Sequence, residues 1–137
     1  MAEKLTGGCQ CGDIRYEVSG EAQQVVACHC TDCQTQSGSA FGMTLVVKEE
    51  NFKLTKGEVK GFTSKSAADR DKLGAFCPAC GTRIYHKVEA RPGKLAVKPG
   101  TLDDTSILKP SVHLWTSSKQ SWVTIPDDAE AYEKQPF

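Results

Sequence analysis

The sequence predicts an all-β fold of short antiparallel strands with minor helical turns. Apolar and polar residues alternate over many short segments, turn-forming residues separate these segments, and few stretches have helical spacing. The chain has 12 glycines and 6 prolines in 137 residues, so we expect frequent turns. We predict about eight to ten strands on these grounds.

The strand predictions follow this alternation along the chain. Strand patterns fall at residues 13–18, 41–47, 52–54, 59–62, 70–76, 83–86, 95–97 and 112–115. Turn signals fall at residues 7–8, 20, 57, 92–93 and 99–100. Trp115 and Trp122 are predicted to pack in the core or against a sheet.

Helical predictions are limited to two short segments. Residues 31–35 predict one helical turn with Thr31 as its N-cap, because a threonine oxygen can accept early backbone N–H bonds. Residues 126–132 predict a second short helix, since Pro126 and acidic side chains stand where a helix would start.

Composition excludes several classes of protein. The 17 basic and 17 acidic residues give a net charge of zero without blocks of like charge, which excludes the basic footprint of a nucleic-acid binder. The chain has no apolar run long enough to cross a membrane and no apolar start typical of a secretion signal. We therefore expect one domain over residues 1–137, in the reducing cytosol.

All seven cysteines lie in three short clusters. The clusters are Cys9 and Cys11, then Cys28, Cys30 and Cys33, and finally Cys77 and Cys80. An odd count and a reducing compartment disfavour disulfides and favour metal binding. Two pairs would complete one four-thiolate zinc site, and the triplet could hold a second zinc with one coordination position free.

Spacing alone leaves the grouping of the cysteines open. Cys28 or Cys30 could instead join Cys77 and Cys80 around one ion. An iron–sulfur cluster is disfavoured because its typical spacing is absent. A zinc deaminase is excluded because the sequence has no His-x-Glu motif.

Three thiolates around a divalent zinc carry one net negative charge, which suits holding a substrate thiol as thiolate rather than activating water. The favoured chemistry is therefore the making or breaking of a bond between sulfur and an electrophilic carbon. Asp32 could act as a hydrogen-bond acceptor near the metal or as a proton relay. The alternative for Asp32 is a solvated turn or cap residue.

Other candidates have both a functional and a structural interpretation. His29 lies between two predicted ligands, and strand-like alternation would turn its ring away from the sulfurs. His86 and His113 fall in strand patterns and are interpreted as core or surface residues. The Ser37-Gly38 turn could present backbone N–H groups to an anion or be a plain turn.

Five ordered segments resemble a known family. They are residues 7–16 with GGCQCG and Arg15-Tyr16, residues 28–38 with CHCTDC, residues 76–82 with FCPACGT, residues 100–104 with GTLDD, and residues 113–126 with HLW and Ile125-Pro126. Together they resemble the glutathione-dependent formaldehyde-activating enzyme family, which includes centromere protein V-like members. The resemblance covers nearly the whole chain.

The resemblance implies a β-tent fold with two zinc sites. By the family pattern the structural zinc is held by Cys9, Cys11, Cys77 and Cys80, and the catalytic zinc by Cys28, Cys30 and Cys33. The implied partners are glutathione and formaldehyde, which the family joins to S-hydroxymethylglutathione, a carbon–sulfur lyase reaction in reverse. The alternatives are a non-catalytic zinc-stabilised binding module and, more weakly, a metal-storage or redox protein.

Overall fold

The computed structural model describes residues 4–21, 24–65, 69–89 and 91–135. Strands dominate this part of the chain. In chain order they are β1 (Leu5–Gly8), β2 (Arg15–Val18), β3 (Gln24–Cys28), β4 (Gly42–Lys48), β5 (Phe52–Lys56), β6 (Lys60–Lys65), β7 (Asp71–Phe76), β8 (Arg83–Val88), β9 (Lys94–Val97), β10 (Val112–Leu114) and β11 (Glu130–Ala131). The α-helix is α1 (Thr31–Ser37), and three short 3₁₀ helices cover Glu49–Asn51, Pro99–Thr101 and Thr116–Ser118.

The strands form two sheets. A small sheet has the order β1-β2-β5, and a large sheet has the order β11-β10-β3-β4-β9-β8-β7-β6. All strand pairings are antiparallel except those of β10, which runs parallel to both β3 and β11. The chain passes from the small sheet to the large one between β2 and β3, returns between β4 and β5, and passes to the large sheet again at the turn around Gly57.

The main core lies between the two sheets. Tyr16 and Val18 of β2 are buried there against Leu45 and Val47 of β4. Successive side chains of a strand point to opposite faces, so Val46 faces away from this core, as do its register neighbours on the large sheet. That second face of the large sheet carries the candidate site.

The all-β prediction is confirmed, and every predicted strand segment contains or overlaps an observed strand. Three strands were not predicted, namely β1, β3 and β11, so the described residues hold one strand more than the upper estimate. The prediction of antiparallel pairing is wrong for β10. Parallel pairing joins segments distant in sequence, and alternation within one strand carries no information on its direction.

The helical predictions need two corrections. Helix α1 is longer than predicted, and its N-cap is Cys30 rather than Thr31. The predicted helix over residues 126–132 is wrong, since this segment forms a turn followed by β11. Its backbone bonds to the rest of the fold instead: the N–H of Glu130 donates to the Ser111 carbonyl and that of Tyr132 to the His113 carbonyl.

Gly7 on β1 is a position where the backbone is approached closely. A Cβ at this residue would lie 2.5 Å from the Thr101 carbonyl oxygen and 2.5 Å from the Tyr16 hydroxyl. We expect Gly7→Ala to lower the free energy of unfolding by about 1–3 kcal/mol, because overpacking forces backbone shifts. Urea denaturation of the zinc-loaded protein measures this change.

The matched control for Gly7→Ala is Gly100→Ala. A Cβ at Gly100 would meet nothing within 4 Å. We therefore expect little change in unfolding free energy for this variant, and equal losses at the two positions would contradict the close approach at Gly7.

Within the described ranges, none of the helices has the length and apolar character required to cross a lipid bilayer.

Candidate metal centres

Four cysteines meet at one end of the fold. Cys9 and Cys11 lie in the loop after β1, and Cys77 and Cys80 lie in the turn between β7 and β8. Their sulfurs all lie within 4.8 Å of one another, with 3.5 Å between Cys9 and Cys11 and 3.8 Å between Cys11 and Cys77. This cluster links the small sheet to the large one.

The turn of residues 77–81 is held by backbone hydrogen bonds. The N–H of Gly81 donates to the Cys77 carbonyl at 2.8 Å, and the N–H of Cys77 donates to the Thr82 carbonyl at 2.9 Å. Gly81 has φ of +81°, a left-handed conformation that glycine adopts without a steric penalty. The Thr82 hydroxyl accepts a hydrogen bond from the Gln10 N–H, which ties the two cysteine loops together.

The four-sulfur cluster fits a tetrahedral zinc. Zinc binds cysteine sulfur at about 2.3 Å, which separates tetrahedral sulfur ligands by about 3.8 Å. The sulfur–sulfur distances of 3.5 and 3.8 Å agree with this geometry. The Ile14 N–H donates to the Cys9 sulfur at 3.2 Å, which stabilises negative charge on this ligand.

The second cluster contains Cys28, Cys30 and Cys33, and their sulfurs also lie within 4.8 Å of one another. Cys28 ends β3, Cys30 caps α1, and Cys33 lies in the first turn of that helix. The Cys30 sulfur accepts the Cys33 N–H at 3.3 Å, so helix capping itself brings two of the sulfurs together.

The three thiols stabilise negative charge on one another. Hydrogen bonds from Cys28 and Cys33 lower the pKa of the Cys30 thiol, and the same interaction with Cys30 raises the pKa of Cys28. A single negative charge is therefore favoured on the cluster alone, and a divalent cation would let all three ionise. The soft, close-set donor set fits zinc.

Two buried histidines hold the strand that carries this cluster. His29 is fully buried, and its Nε2 lies 2.9 Å from Nδ1 of His113 on β10. Burial lowers the pKa of both imidazoles, which favours their neutral forms. The N–H of His29 also donates to the Leu114 carbonyl, so β10 fixes the end of β3 beside the sulfurs.

Helix α1 is anchored on its other side by Gln34. Its side-chain amide donates to the carbonyls of His29 and Ser118, both at 2.9 Å, and its oxygen accepts from Gln120 at 3.1 Å. The Ser118 hydroxyl donates to the same His29 carbonyl. These bonds restrict the position of α1 and so of Cys33.

The second cluster opens into a cavity of about 420 Å³ on the outer face of the large sheet. The apolar part of its lining comprises Val26, Val46, Val88, Leu95, Ala96, Leu114 and Trp115. Its charged and polar lining includes Asp32, Arg70, Lys72, His86, Arg91 and Lys94, together with Thr44 and Gln135. The three sulfurs thus face a space that can hold an organic molecule.

His86 lies in a strongly cationic part of this cavity. Burial first, and then the charges of Lys98 and Lys72, lower its pKa to about 3. Arg83 adds to this effect and donates from Nη1 to Nε2 of His86 at 2.9 Å. The neutral ring therefore carries its proton on Nδ1.

The depressed pKa of His86 predicts acid sensitivity of the fold. Because the folded-state pKa lies below the ordinary value of 6.5, neutral His86 stabilises the protein above pH 6.5, and this contribution is lost as pH falls toward 3. Against His86→Gln, the native protein should lose up to about 1.4 kcal/mol of unfolding free energy per pH unit below 6.5. Denaturant titrations from pH 7 to 5 measure this.

Metal release at low pH affects the native protein and the His86→Gln variant alike, so the difference between them isolates the histidine. The glutamine oxygen can keep the hydrogen bond from Arg83. Parallel stability curves for the two proteins over this pH range would contradict the assignment.

The structure separates the seven cysteines into four and three, and neither Cys28 nor Cys30 joins Cys77 and Cys80. Asp32 is exposed and lines the cavity. The Ser37-Gly38 turn is a helix C-terminus, where the N–H groups of Gly38 and Ser39 already donate to α1 carbonyls. Of the two interpretations of this segment, the structure supports the plain turn.

The prediction for the two tryptophans is half right. Trp115 packs against the small buried cluster of Val26, Val112 and Leu114. Trp122 is 70% exposed, so its predicted packing is wrong.

Sequence reasoning missed Lys72 and Gln34. Both are polar residues whose role depends on contacts distant in sequence. The one available signal was the alternation in β7, and it pointed the wrong way, because Lys72 is buried while its neighbour Leu73 is exposed.

Comparison with known proteins agrees with this architecture. A crystal structure of a Rhodobacter sphaeroides protein matches the chain with a TM-score of 0.58 at 18% sequence identity, covering 74% of this chain and 91% of that one. At this identity the match shows the fold. A sequence profile described as "Glutathione-dependent formaldehyde-activating enzyme" matches residues 4–118. The chain belongs to the glutathione-dependent formaldehyde-activating enzyme family.

Proposed function

We propose that the protein is a zinc-dependent carbon–sulfur lyase that forms or cleaves the adduct of a thiol and a small aldehyde. Its activity would be similar to that of S-(hydroxymethyl)glutathione synthase, with glutathione and formaldehyde as substrates. The main support is the three-sulfur cluster of Cys28, Cys30 and Cys33 at the wall of a cavity. Within the described ranges, no fourth Cys, His, Asp or Glu ligand atom joins these sulfurs.

Cys28, Cys30 and Cys33 would hold the reactive zinc. A zinc ion bound there lowers the pKa of a further thiol ligand, so that it is present as the nucleophilic thiolate. In the synthetic direction the substrate sulfur bonds to the carbonyl carbon, and the carbonyl π bond opens onto oxygen. That oxygen takes up the proton that the thiol released, so the addition balances without an oxidant or reductant.

Side chains around the cluster would orient the substrates and move the proton. Val26 and Val46 form an apolar wall that limits water near the reacting carbon. Asp32 lines the same cavity and is exposed, so its carboxylate can pass a proton between the substrate oxygen and solvent.

The four-sulfur cluster would hold a structural zinc through Cys9, Cys11, Cys77 and Cys80, within a single zinc-binding domain of residues 1–137. It joins the loop after β1 to the turn between β7 and β8. We also place the protein in the reducing cytosol, where cysteine clusters bind metals more often than they form disulfides.

Product formation from glutathione and formaldehyde tests the proposal. We expect zinc-loaded protein to form the adduct faster than buffer does, and the Cys30→Ser variant to match the buffer rate. Other small aldehydes extend the assay. Equal rates for the native protein, the variant and buffer would reject the lyase activity.

A binding experiment separates the lyase from a non-catalytic zinc module. Replacing zinc with cobalt gives visible absorption bands that change when a ligand is added. We expect two metal ions per chain and a spectral change on titration with glutathione, arising from the three-sulfur site. An unchanged spectrum would favour a closed, purely structural second metal.

A further inference from the structure

The strand register places two adjacent rows of side chains on the cavity wall. Val46 of β4 pairs with Ala96 of β9, and Ala96 pairs with His86 of β8. In the adjacent row Val88 of β8 pairs with Lys72 of β7. All five residues line the cavity, so its wall changes from apolar at β4 and β9 to cationic at β7.

Lys72 is the most unusual member of this wall. Its side chain is only 7% exposed, yet the described part of the chain gives it neither a carboxylate partner nor a hydrogen bond. Its ammonium nitrogen is not among the fully buried atoms that lack a partner, so it is reached from the cavity that Lys72 lines. Lysines are almost never fully buried unless they are paired.

The sulfur cluster does not supply enough negative charge for the surrounding cations. A divalent ion with three thiolates carries one net negative charge, whereas Lys72, Lys98 and Arg83 all act on His86 in the same region. Lys98 also lies beside Cys33, where the two line a neighbouring depression. Lys72 acts on Cys30 and Cys33, and Lys98 acts on Cys28 and Cys33. The two lysines therefore share a single net negative charge, which leaves one positive charge in excess.

A second donor in the cavity wall also lacks a partner. The Trp115 indole N–H is buried and has no acceptor among the residues that the structure describes. Trp115 also has φ of +58°, a left-handed conformation that is costly for a bulky residue. Such strained positions cluster at ligand-binding sites.

We infer that this cavity recognises a ligand with a carboxylate on an apolar body, and that Lys72 pairs with that carboxylate. This inference rests on the proposed function and assigns the carboxylate to the carbonyl substrate, which would be an aldehyde or oxo acid. The apolar side chains of Val46, Ala96 and Leu114 would contact its body. The cavity of about 420 Å³ exceeds what formaldehyde needs, and the thiol substrate would occupy the part of it next to the sulfurs.

Equilibrium binding tests this assignment without turnover. The probes are benzoate and its uncharged isostere benzamide, titrated calorimetrically into zinc-loaded native protein. We expect benzoate to bind about tenfold or more tightly than benzamide, since loss of a buried charge partner is costly. Lys72→Met should abolish this preference, and Lys72→Arg should retain part of it.

Lys60→Met is the matched control, because Lys60 is an exposed lysine on neighbouring β6. Its preference for benzoate should equal that of the native protein. Lys72→Met should melt no lower than the native protein, because it removes a charge that has no carboxylate partner from a largely buried position. Equal affinity of native protein for the two probes, or a preference retained in Lys72→Met, would overturn the assignment.

A rate measurement separates this inference from the proposed function. It compares 4-carboxybenzaldehyde with its uncharged amide analogue, both with glutathione, and we expect the carboxylate substrate to react with the lower KM. Preferential benzoate binding without any adduct formation would reject the lyase and keep the carboxylate site. Adduct formation without carboxylate preference would reject the carboxylate site and keep the lyase.

Discussion

Replacing Cys77 with serine is expected to leave the chain largely unfolded at room temperature. Cys77 is fully buried and belongs to the cluster that joins the two sheets. Structural zinc contributes about 10–16 kcal/mol of apparent binding energy, against a usual total stability of about 5–15 kcal/mol. Loss of one thiolate ligand would remove most of that stabilisation.

Circular dichroism and zinc content measure this effect. Exhaustive chelation of the native protein should give the same unfolded spectrum as Cys77→Ser. Refolding on return of zinc would show that the chain is intact. A cooperative melt retained by the chelated protein, within a few degrees of the zinc-loaded one, would contradict a structural role.

Replacing Cys30 with serine is expected to abolish adduct formation while the fold persists. Cys30 caps α1 by accepting the Cys33 N–H, and serine is a preferred N-cap residue, so the helix should be kept. A serine hydroxyl stays protonated at neutral pH and is a poor ligand for zinc. The zinc content should therefore fall from two ions per chain to one.

The readouts for Cys30→Ser are zinc content, melting temperature and rate with glutathione and formaldehyde. Thr35→Ala is the matched control, because Thr35 is exposed in the same helix. It should keep both ions and the native rate. Full activity of Cys30→Ser with one ion would place the chemistry elsewhere, and its unfolding would make the second cluster structural.

Local sequence patterns predicted the strands whose side chains alternate between the core and the opposite face of the sheet. Residues 41–47 alternate because one face of β4 enters the core, and β4 was found there. The helix predicted for residues 126–132 was wrong. Acidic residues after Pro126 favour a helix, but the backbone of β11 bonds to β10 instead. Neither the β10 segment nor the β11 segment carries a local signal for this pairing.

The candidate site could be predicted as far as its sulfurs. The identity and spacing of the cysteines were enough to predict the two clusters, since few roles other than metal binding require such groups of thiols. The cavity could not be predicted, because its lining comes from six strands whose register is not encoded locally. Lys72 shows the limit most clearly: on sequence alone Leu73 would be placed inside and the lysine outside, and the structure has them reversed.

The two sulfur clusters differ in how they can first meet an ion. Cys28, Cys30 and Cys33 are neighbours in the chain, whereas Cys11 and Cys77 are 66 positions apart. A newly made polypeptide can capture an ion at the short motif at once, but the other centre must await closure of a long loop. A metal ion that also binds the unfolded chain stabilises the native state less than one that binds only after folding. Under zinc starvation, cells would thus accumulate chains whose short motif is loaded and whose sheets have not yet been joined.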